Sequence, residues 1–447
     1  MSITSAFFSG LSGLDTHGNA IQVVASNLAN LNTVGFKSSD QLFSDIYTGM
    51  SSRLQVGSGS SVEDIRMNLT QGGFQSTGNV LDMAIDGEGY FIVQDTLGPA
   101  GATTKVSYTR AGTFDRNKDG QIVNPDGLFL QGKAITLDTG GNTVLGSRQE
   151  INLKTLTVGG KTLNVEEMIP SKTTTASIVA NLDSQTTVNP ALFTPLDPYA
   201  TSEFNTAVTV YDSEGVSHLV RVFFKRTAIP TTTSPVSKWE WHVVVDAVDS
   251  GQANASEGAN GTLTFTPEGV LQADTVGVNA FGFVGAVQGQ TIEMNFGANT
   301  NNGGSGLDGI TQFGSPSVVL SQTQDGFSSG ILTSISIDGK GVLSGLYSNG
   351  KTNSIAQIEL AKFVNPGGLF HKGNNLFVES TESGVANVNT PTEAGNGSVV
   401  SNNLEISNVD AAEEFVKLIQ YQRGFQANTR VITTGDEMLQ DIIGLKR

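Results

Sequence analysis

Asp115-Arg116-Asn117-Lys118-Asp119-Gly120 sets acids and an amide at the alternating spacing of a calcium loop, with Asp126 in the twelfth position. Such a loop needs oxygen ligands at these spacings and a helix on each side. Its flanks, Tyr108-Thr109-Arg110 and Gln121-Ile122-Val123, read as strands, so a hairpin turn is expected instead. Gly326-Phe327-Ser328-Ser329-Gly330 has the spacing of a nucleophile elbow, which requires a strand before it, a helix after it, and a downstream acid and His. The next residues, Ile331-Leu332-Thr333-Ser334-Ile335, have a strand pattern, and the one later histidine is His371. Gly304-Ser305-Gly306-Leu307-Asp308-Gly309 has the spacing of a dinucleotide loop but opens no helix before Pro316. The four histidines (His17, His218, His242, His371) have no paired spacing for zinc. No catalytic constellation survives, and the chain is expected to be no enzyme and to hold no cofactor or metal.

The elements that would position such chemistry are more informative. Phe7, Leu11, Leu14, Gly18, Ile21, Ala25 and Leu28 alternate by four and three residues. The same spacing runs through Ala411, Phe415, Leu418, Gln422, Phe425, Thr429, Ile432, Asp436, Leu439 and Ile443. This is the a/d pattern of a coiled coil, so the two ends are expected to form one stem. Gly10, Gly13 and Gly18 each weaken the first helix by roughly 1 kcal/mol relative to Ala. An isolated helix so weakened is marginal, and both ends are expected to be disordered in the monomer and to fold on association. Ser407-Asn408 offers capping chemistry for the last helix, with Glu413 and Glu414 in its early turns.

Between the ends the period changes to two. Leu81, Met83 and Ile85 lead through Asp86-Gly87-Glu88-Gly89 to Tyr90-Phe91-Ile92-Val93, and Asp119-Gly120 and Asp126-Gly127 are hairpin dipeptides. A composition shift at Ser171-Lys172-Thr173-Thr174-Thr175 opens a second β-rich stretch, in which Trp239, Trp241, Val243 and Val245 alternate. The first pattern resumes after about Val318. The fold class expected is α+β, mainly β: a discontinuous multidomain chain whose terminal α-helices pair as a coiled-coil stem, with two nested β-rich domains. The boundaries read as 1–30 with 405–447 for the stem, 31–70 with 391–404 for an irregular or extended connector, 71–169 with 319–390 for the first β-domain, and 170–318 for the insert.

Composition narrows the function classes. Charged residues are 15% of 447, against roughly 25% in an average soluble protein, so Ser, Thr, Asn and Gly must cover much of the surface. A formal charge of -17 argues against nucleic acid and anionic membranes, which need basic patches. No 18-residue apolar span suggests membrane insertion. The first Lys or Arg is Lys37, so a basic signal-peptide n-region is not expected, and the chain has no Cys for disulfides, thiol chemistry or thiolate metal sites.

Three stretches are specific. Ser9-Gly10-Leu11-Ser12-Gly13-Leu14 leads to Ala25-Ser26-Asn27-Leu28-Ala29-Asn30 and Thr33-Val34-Gly35-Phe36-Lys37. Leu404-Glu405-Ile406-Ser407-Asn408-Val409-Asp410 precedes Tyr421-Gln422-Arg423-Gly424-Phe425-Gln426-Ala427-Asn428. Between them lie Leu81 to Phe91 and Tyr108-Thr109-Arg110-Ala111-Gly112-Thr113-Phe114. Together they resemble the bacterial flagellar rod and hook axial proteins, and the length and large β-insert resemble the hook members. The resemblance implies a structural subunit that polymerises into a curved, flexible hollow tube passing motor torque to the filament as a universal joint. The alternative is a distal rod or hook–filament junction protein. It implies self-association through the heptad residues and a motif or hinge at Asn27, Asn30, Thr33, Gly35, Phe36, Lys37, Asn408, Val409 and Asp410. Gly35 with residues 36–70 is expected to be an adaptable joint, and Gln22, Asn27 and Asn30 to line a channel or satisfy neighbours. The partners implied are the distal rod, hook cap, hook–filament junction and hook-length control proteins and the export apparatus. The location implied is extracellular, in the flagellar hook, reached unfolded through the flagellar type III channel without a cleaved signal.

Overall fold

The computed structural model describes residues 3–47, 57–95, 105–137, 143–158, 161–232 and 235–444. The chain divides into two compact units: Met1–Glu166 with Thr333–Leu346 and Thr352–Arg447, and Glu167–Leu332 with Tyr347–Lys351. Strand is its predominant regular structure, with a long helix at each end.

In the first unit the N-terminal helix spans Ile3–Ala29 and the C-terminal helix Ala411–Gly444. They pair antiparallel: Phe7 meets Gly435, Gly10 meets Ile432, Gly13 meets Asn428, and His17 meets Gly424. The contact takes in Phe7, Gly18, Phe425 and Ile432 of the heptad stripes together with Gly10 and Gly13, which lie one position earlier on the first helix, about 100° around it. Glycines that weaken the helix in isolation here admit knobs from the partner: a Cβ at Gly13 would lie 2.6 Å from Asn428 Nδ2, and one at Gly424 2.6 Å from His17 Cε1. That close approach explains why both ends are helical within a single chain, against the expectation of disorder in the monomer. The cap of the C-terminal helix also differs from the Ser407-Asn408 reading. Asp410 Oδ1 accepts from the backbone N–H of Ala412 (2.8 Å) and Glu413 (3.2 Å), the usual geometry of an N-cap carboxylate.

The stretch expected to be an irregular connector contains a hairpin of β1 (Ser39–Tyr47) and β2 (Gly57–Met67), which lies on the N-terminal helix. Apart from Phe43, which packs on His17, its contacts with the helix include several polar ones: Thr16 Oγ1 meets Ser60 Oγ at 2.9 Å, Gln41 Nε2 donates to Thr16 O at 3.0 Å, and Ser12 Oγ accepts from Ser60 N. Gly59, at φ +115°, lets the strand sit directly over Ser12. Strands held by Ser, Thr and Gln carry no apolar alternation, so the period-two signal was missing.

The β-body of this unit is built around Tyr90–Gln94, which pairs with Val106–Thr109 and Phe129–Leu137. Beyond it Thr352–Ile358 adds to Phe129–Leu137, and Leu376–Val378 adds to Val106–Thr109. The central strand is buried on both faces: Phe91 and Val93 join Met83, Ile85, Phe114 and Leu130, while Tyr90 and Ile92 join Tyr108, Phe363 and Phe377. Met83–Asp86 pairs with Ser398–Ser401 rather than with Tyr90–Gln94, so Asp86–Gly89 is a corner between sheets, not a hairpin.

The second unit is a sandwich. Phe204–Tyr211, Ser217–Ala228, Ser237–Val245, Ser256–Phe265 and Leu271–Asn279 form an antiparallel meander in chain order. Its inward residues, among them Val222, Phe224, Trp239, Trp241 and Phe265, meet Ala176, Ile178 and Ala180 from Thr175–Asn181, the middle strand of a three-stranded sheet.

Candidate functional site

The residues singled out for assembly separate into two groups. Phe7 and Ile432 lie against glycines of the opposite helix, and Phe425 lies beside Gly18. Leu14, Ile21, Leu28 and Leu418 are half-buried. Leu11 (56% exposed), Phe415 (54%) and Ile443 (70%) face outward, as do Ala25, Gln422 and Leu439. Phe8, Val416, Ile419, Val431 and Met438 add to the exposed apolar surface. Among the described residues of the C-terminal helix, Glu414 and Gly435 alone are buried. A helix this long with so little buried has not completed its packing, since tertiary burial is what stabilises most helices.

The second group forms a polar clasp where the stem enters the β-body. Glu405, fully buried, accepts from Lys37 Nζ at 2.6 Å, from Gly72 N at 3.0 Å and, at 3.5 Å, from Arg110 Nη1. Lys37 Nζ also donates to Thr70 O (2.8 Å), and Arg110 Nη2 to Gly87 O (2.9 Å). Burial pushes the Lys37 ammonium below its ordinary range, and Glu405 opposes that shift. Asn408 completes the site: Oδ1 accepts from Ser38 N (2.7 Å), and Nδ2 donates to Asn68 O and Thr70 O. Gly35 N donates to Glu405 O at 2.8 Å, and Gly35 takes φ +69° where a Cβ would lie 2.6 Å from Ala111 N. Phe36 O accepts from Asn408 N, and Val409 is buried.

The clasp continues into the helices. Asn27 Nδ2 donates to Ser39 O and to Glu414 Oε2, while its Oδ1 accepts from Ser39 N, so this amide is spent inside the chain rather than facing a channel. Asn30 Oδ1 accepts from Thr33 Oγ1 in the turn that ends the helix. Lys417 Nζ reaches Asp40, Glu413 and Glu414, and these carboxylates hold it protonated above its ordinary range even though burial alone lowers it. At the start of the segment expected to be an adaptable joint, Gly35 and Lys37 are thus held by a buried ionic group. Arg110 and Glu405 were missed as site residues, although both lie inside the motif stretches. A buried cation needs an acid, and that was the available signal.

The chemistry-like motifs resolve as turns. Asp115–Arg116 and Ile122–Val123 form a hairpin closed by Asn117, and Asp126 accepts from Asn374. Gly326–Gly330 runs into a strand, with Phe327 bridging Ser171. Among the described residues no cluster of His, Cys, Asp and Glu suits a metal, and no helix is long and apolar enough to cross a membrane.

Comparison with known proteins matches four stretches of the chain to flagellar family models. Residues 9–37 match the flagella basal body rod protein model, 84–180 the flagellar hook protein FlgE/F/G D1 domain, 181–327 the flagellar basal body protein FlaE D2 domain, and 400–445 the flagellar basal body rod FlgEFG protein C-terminal model. Flagellar hook protein FlgE of Borreliella burgdorferi is 33% identical, over 99% of both chains. The chain belongs to the flagellar hook protein family. Flagellar hook protein FlgE of Treponema pallidum is 32% identical, again over 99% of both chains. The crystal structure of Helicobacter pylori flagellar hook protein FlgE2 shares the fold, with a TM-score of 0.51 at 16% identity over 74% of this chain and all of that one. The stretches through Lys37 and Glu405 fall inside the two terminal matches, so the clasp unites the segments that the family models treat separately.

Proposed function

We propose that this chain is the repeating subunit of the flagellar hook, a helical homopolymer assembled through its terminal helices into a curved hollow tube that transmits torque. The observation carrying this reading is the unfinished C-terminal helix, whose exposed Phe415, Val416, Ile419, Val431 and Ile443 need a partner. Copies adding head-to-tail through such a surface form an open helical array, because the contact does not close on itself. The subunit's role is structural rather than catalytic. Its outer partners are other flagellar components at the two ends of the tube: distal rod protein below, cap and junction proteins above. Delivery is in unfolded form through the flagellar export channel, with length set by a control protein.

The heptad residues Leu11, Leu14, Ile21, Ala25, Leu28, Phe415, Leu418, Leu439 and Ile443 act between copies. Bending arises from small adjustments at many such interfaces, while the ionic joint at Lys37 and Glu405 keeps each stem fixed to its β-body. Electron microscopy under polymerising salt tests the reading. The full chain should give curved tubes. Leu11→Asp, at an exposed position, should leave monomer stability within about 0.5 kcal/mol and abolish them. Straight rods would favour a distal rod protein, and an unchanged yield from Leu11→Asp would remove the stem from the assembly.

A further inference from the structure

A cavity of about 220 Å³ opens beside the clasp, within the first unit. Arg110 and Lys362 line it together with Tyr90, Phe363 and Val364. Arg110 is 7% exposed, its guanidinium lies 5.3 Å from the Tyr90 ring centroid, and its buried Nε has no hydrogen-bond partner among the described residues. Lys362 is held by Glu88, whose side chain is 71% exposed, so another carboxylate can replace that partner at little cost. Val364 stands 93% exposed on the wall. Cations beside an open apolar wall, in a chain of net charge -17, suit a carboxylate carried next to an aliphatic side chain.

β2 offers that pair. Glu63, Asp64 and Ile65 are all exposed; Glu63 sits at a bulge, skipped between the Leu42–Asp64 and Phe43–Val62 pairs, and Ile65 lies two positions on, about 7 Å away. The strand leads within a few residues to Leu69, which lines the cavity of its own chain. One copy therefore carries the strand and the cavity as two different surfaces, as a non-closing contact requires. Building on the hook reading above, we infer that β2 of one copy docks on the Arg110–Lys362 cavity of the next, with Glu63 at the cations and Ile65 on Phe363 and Val364.

Charge exchange tests the contact in the full chain. Lys362→Glu and Glu63→Lys should each raise the critical concentration for polymerisation roughly fivefold, and the double variant should restore it. Both positions are solvent-accessible, and far-UV circular dichroism verifies that each variant folds. A second measurement uses the absence of Cys: Glu63→Cys with Lys362→Cys should give a covalent ladder on oxidation of the polymer and none from the monomer. Wild-type polymer with unaffected single variants, or with a double variant that fails to recover, overturns the contact and leaves the hook reading standing. Polymer without a ladder does the same. A wild-type chain that never polymerises overturns both.

Discussion

The second unit and the stem solve the problem of burial in opposite ways. In the sandwich, Phe224, Trp239, Trp241, Val243 and Phe265 are all at most 1% exposed, closed over by Ala176 and Ile178 from the facing sheet. In the stem, the C-terminal helix leaves large apolar side chains in water and is held by glycine contacts, Lys417 and the Asp410 cap. A region that finishes its own core needs no neighbour. One that stops short is arranged to be finished by another molecule, and it must be fixed to its body by something other than apolar packing. In this chain that fixing is ionic.

Removing the ionic centre should separate the two regions most sharply. Glu405→Ala leaves Lys37 and Arg110 buried without their acid, an effect of about 3–5 kcal/mol on the first unit. Both tryptophans of the chain, Trp239 and Trp241, lie in the second unit, so their fluorescence reports its unfolding alone. The expected result is an early loss of helical ellipticity with an unshifted tryptophan transition. Phe265→Ala should do the reverse, lowering the tryptophan transition by about 3–5 kcal/mol while the helices persist. If either variant moves both signals together, the units unfold as one and the contrast fails.

A smaller effect is expected at Gly35. Alanine there adopts a left-handed conformation, costing about 1–2 kcal/mol, and its Cβ meets the backbone of Arg110 and Ala111, which has no rotamer to yield. The strain acts on the segment that presents Arg110 to Glu405. Thermal melts of Gly35→Ala should therefore show a lower helical transition, again without a change in tryptophan fluorescence. A variant as stable as the parent would mean that the joint tolerates movement, restoring the adaptable hinge suggested by the sequence.

How much of this was legible in the sequence depends on how local each signal was. The helices declared themselves through spacing, and the sandwich strands through alternation at Trp239, Trp241, Val243 and Val245. The share of Gly10 and Gly13 in the stem contact was not legible, because glycine carries no hydrophobic signal. β1 and β2 escaped because their interior contacts are made by Thr16, Gln41 and Ser60. The clasp was half visible: Lys37 and Asn408 stood out by resemblance to known motifs, but nothing local joins Lys37 to Glu405, 368 positions away. Asp86–Gly89 shows the opposite limit: Asp-Gly is a dipeptide that tight turns favour, and here it turns a corner between sheets.

The smallest expected effect concerns pH at the stem. His17 sits between Phe43 (centroids 5.5 Å apart) and Tyr421 (6.2 Å), against Gly424, with Nδ1 buried and unpartnered among the described residues. Burial lowers its pKa below the ordinary 6.5. The folded chain therefore resists a proton that the unfolded chain accepts. Its stabilising contribution is complete above pH 6.5 and declines as pH falls toward the depressed folded value. His371 is shifted the same way by burial, so the test must be differential. Helical melts of the wild type and His17→Gln, compared at neutral and mildly acidic pH, should show a smaller acid-induced drop in the variant. Equal drops would assign the acid sensitivity elsewhere and leave the helix pairing indifferent to the charge on this ring.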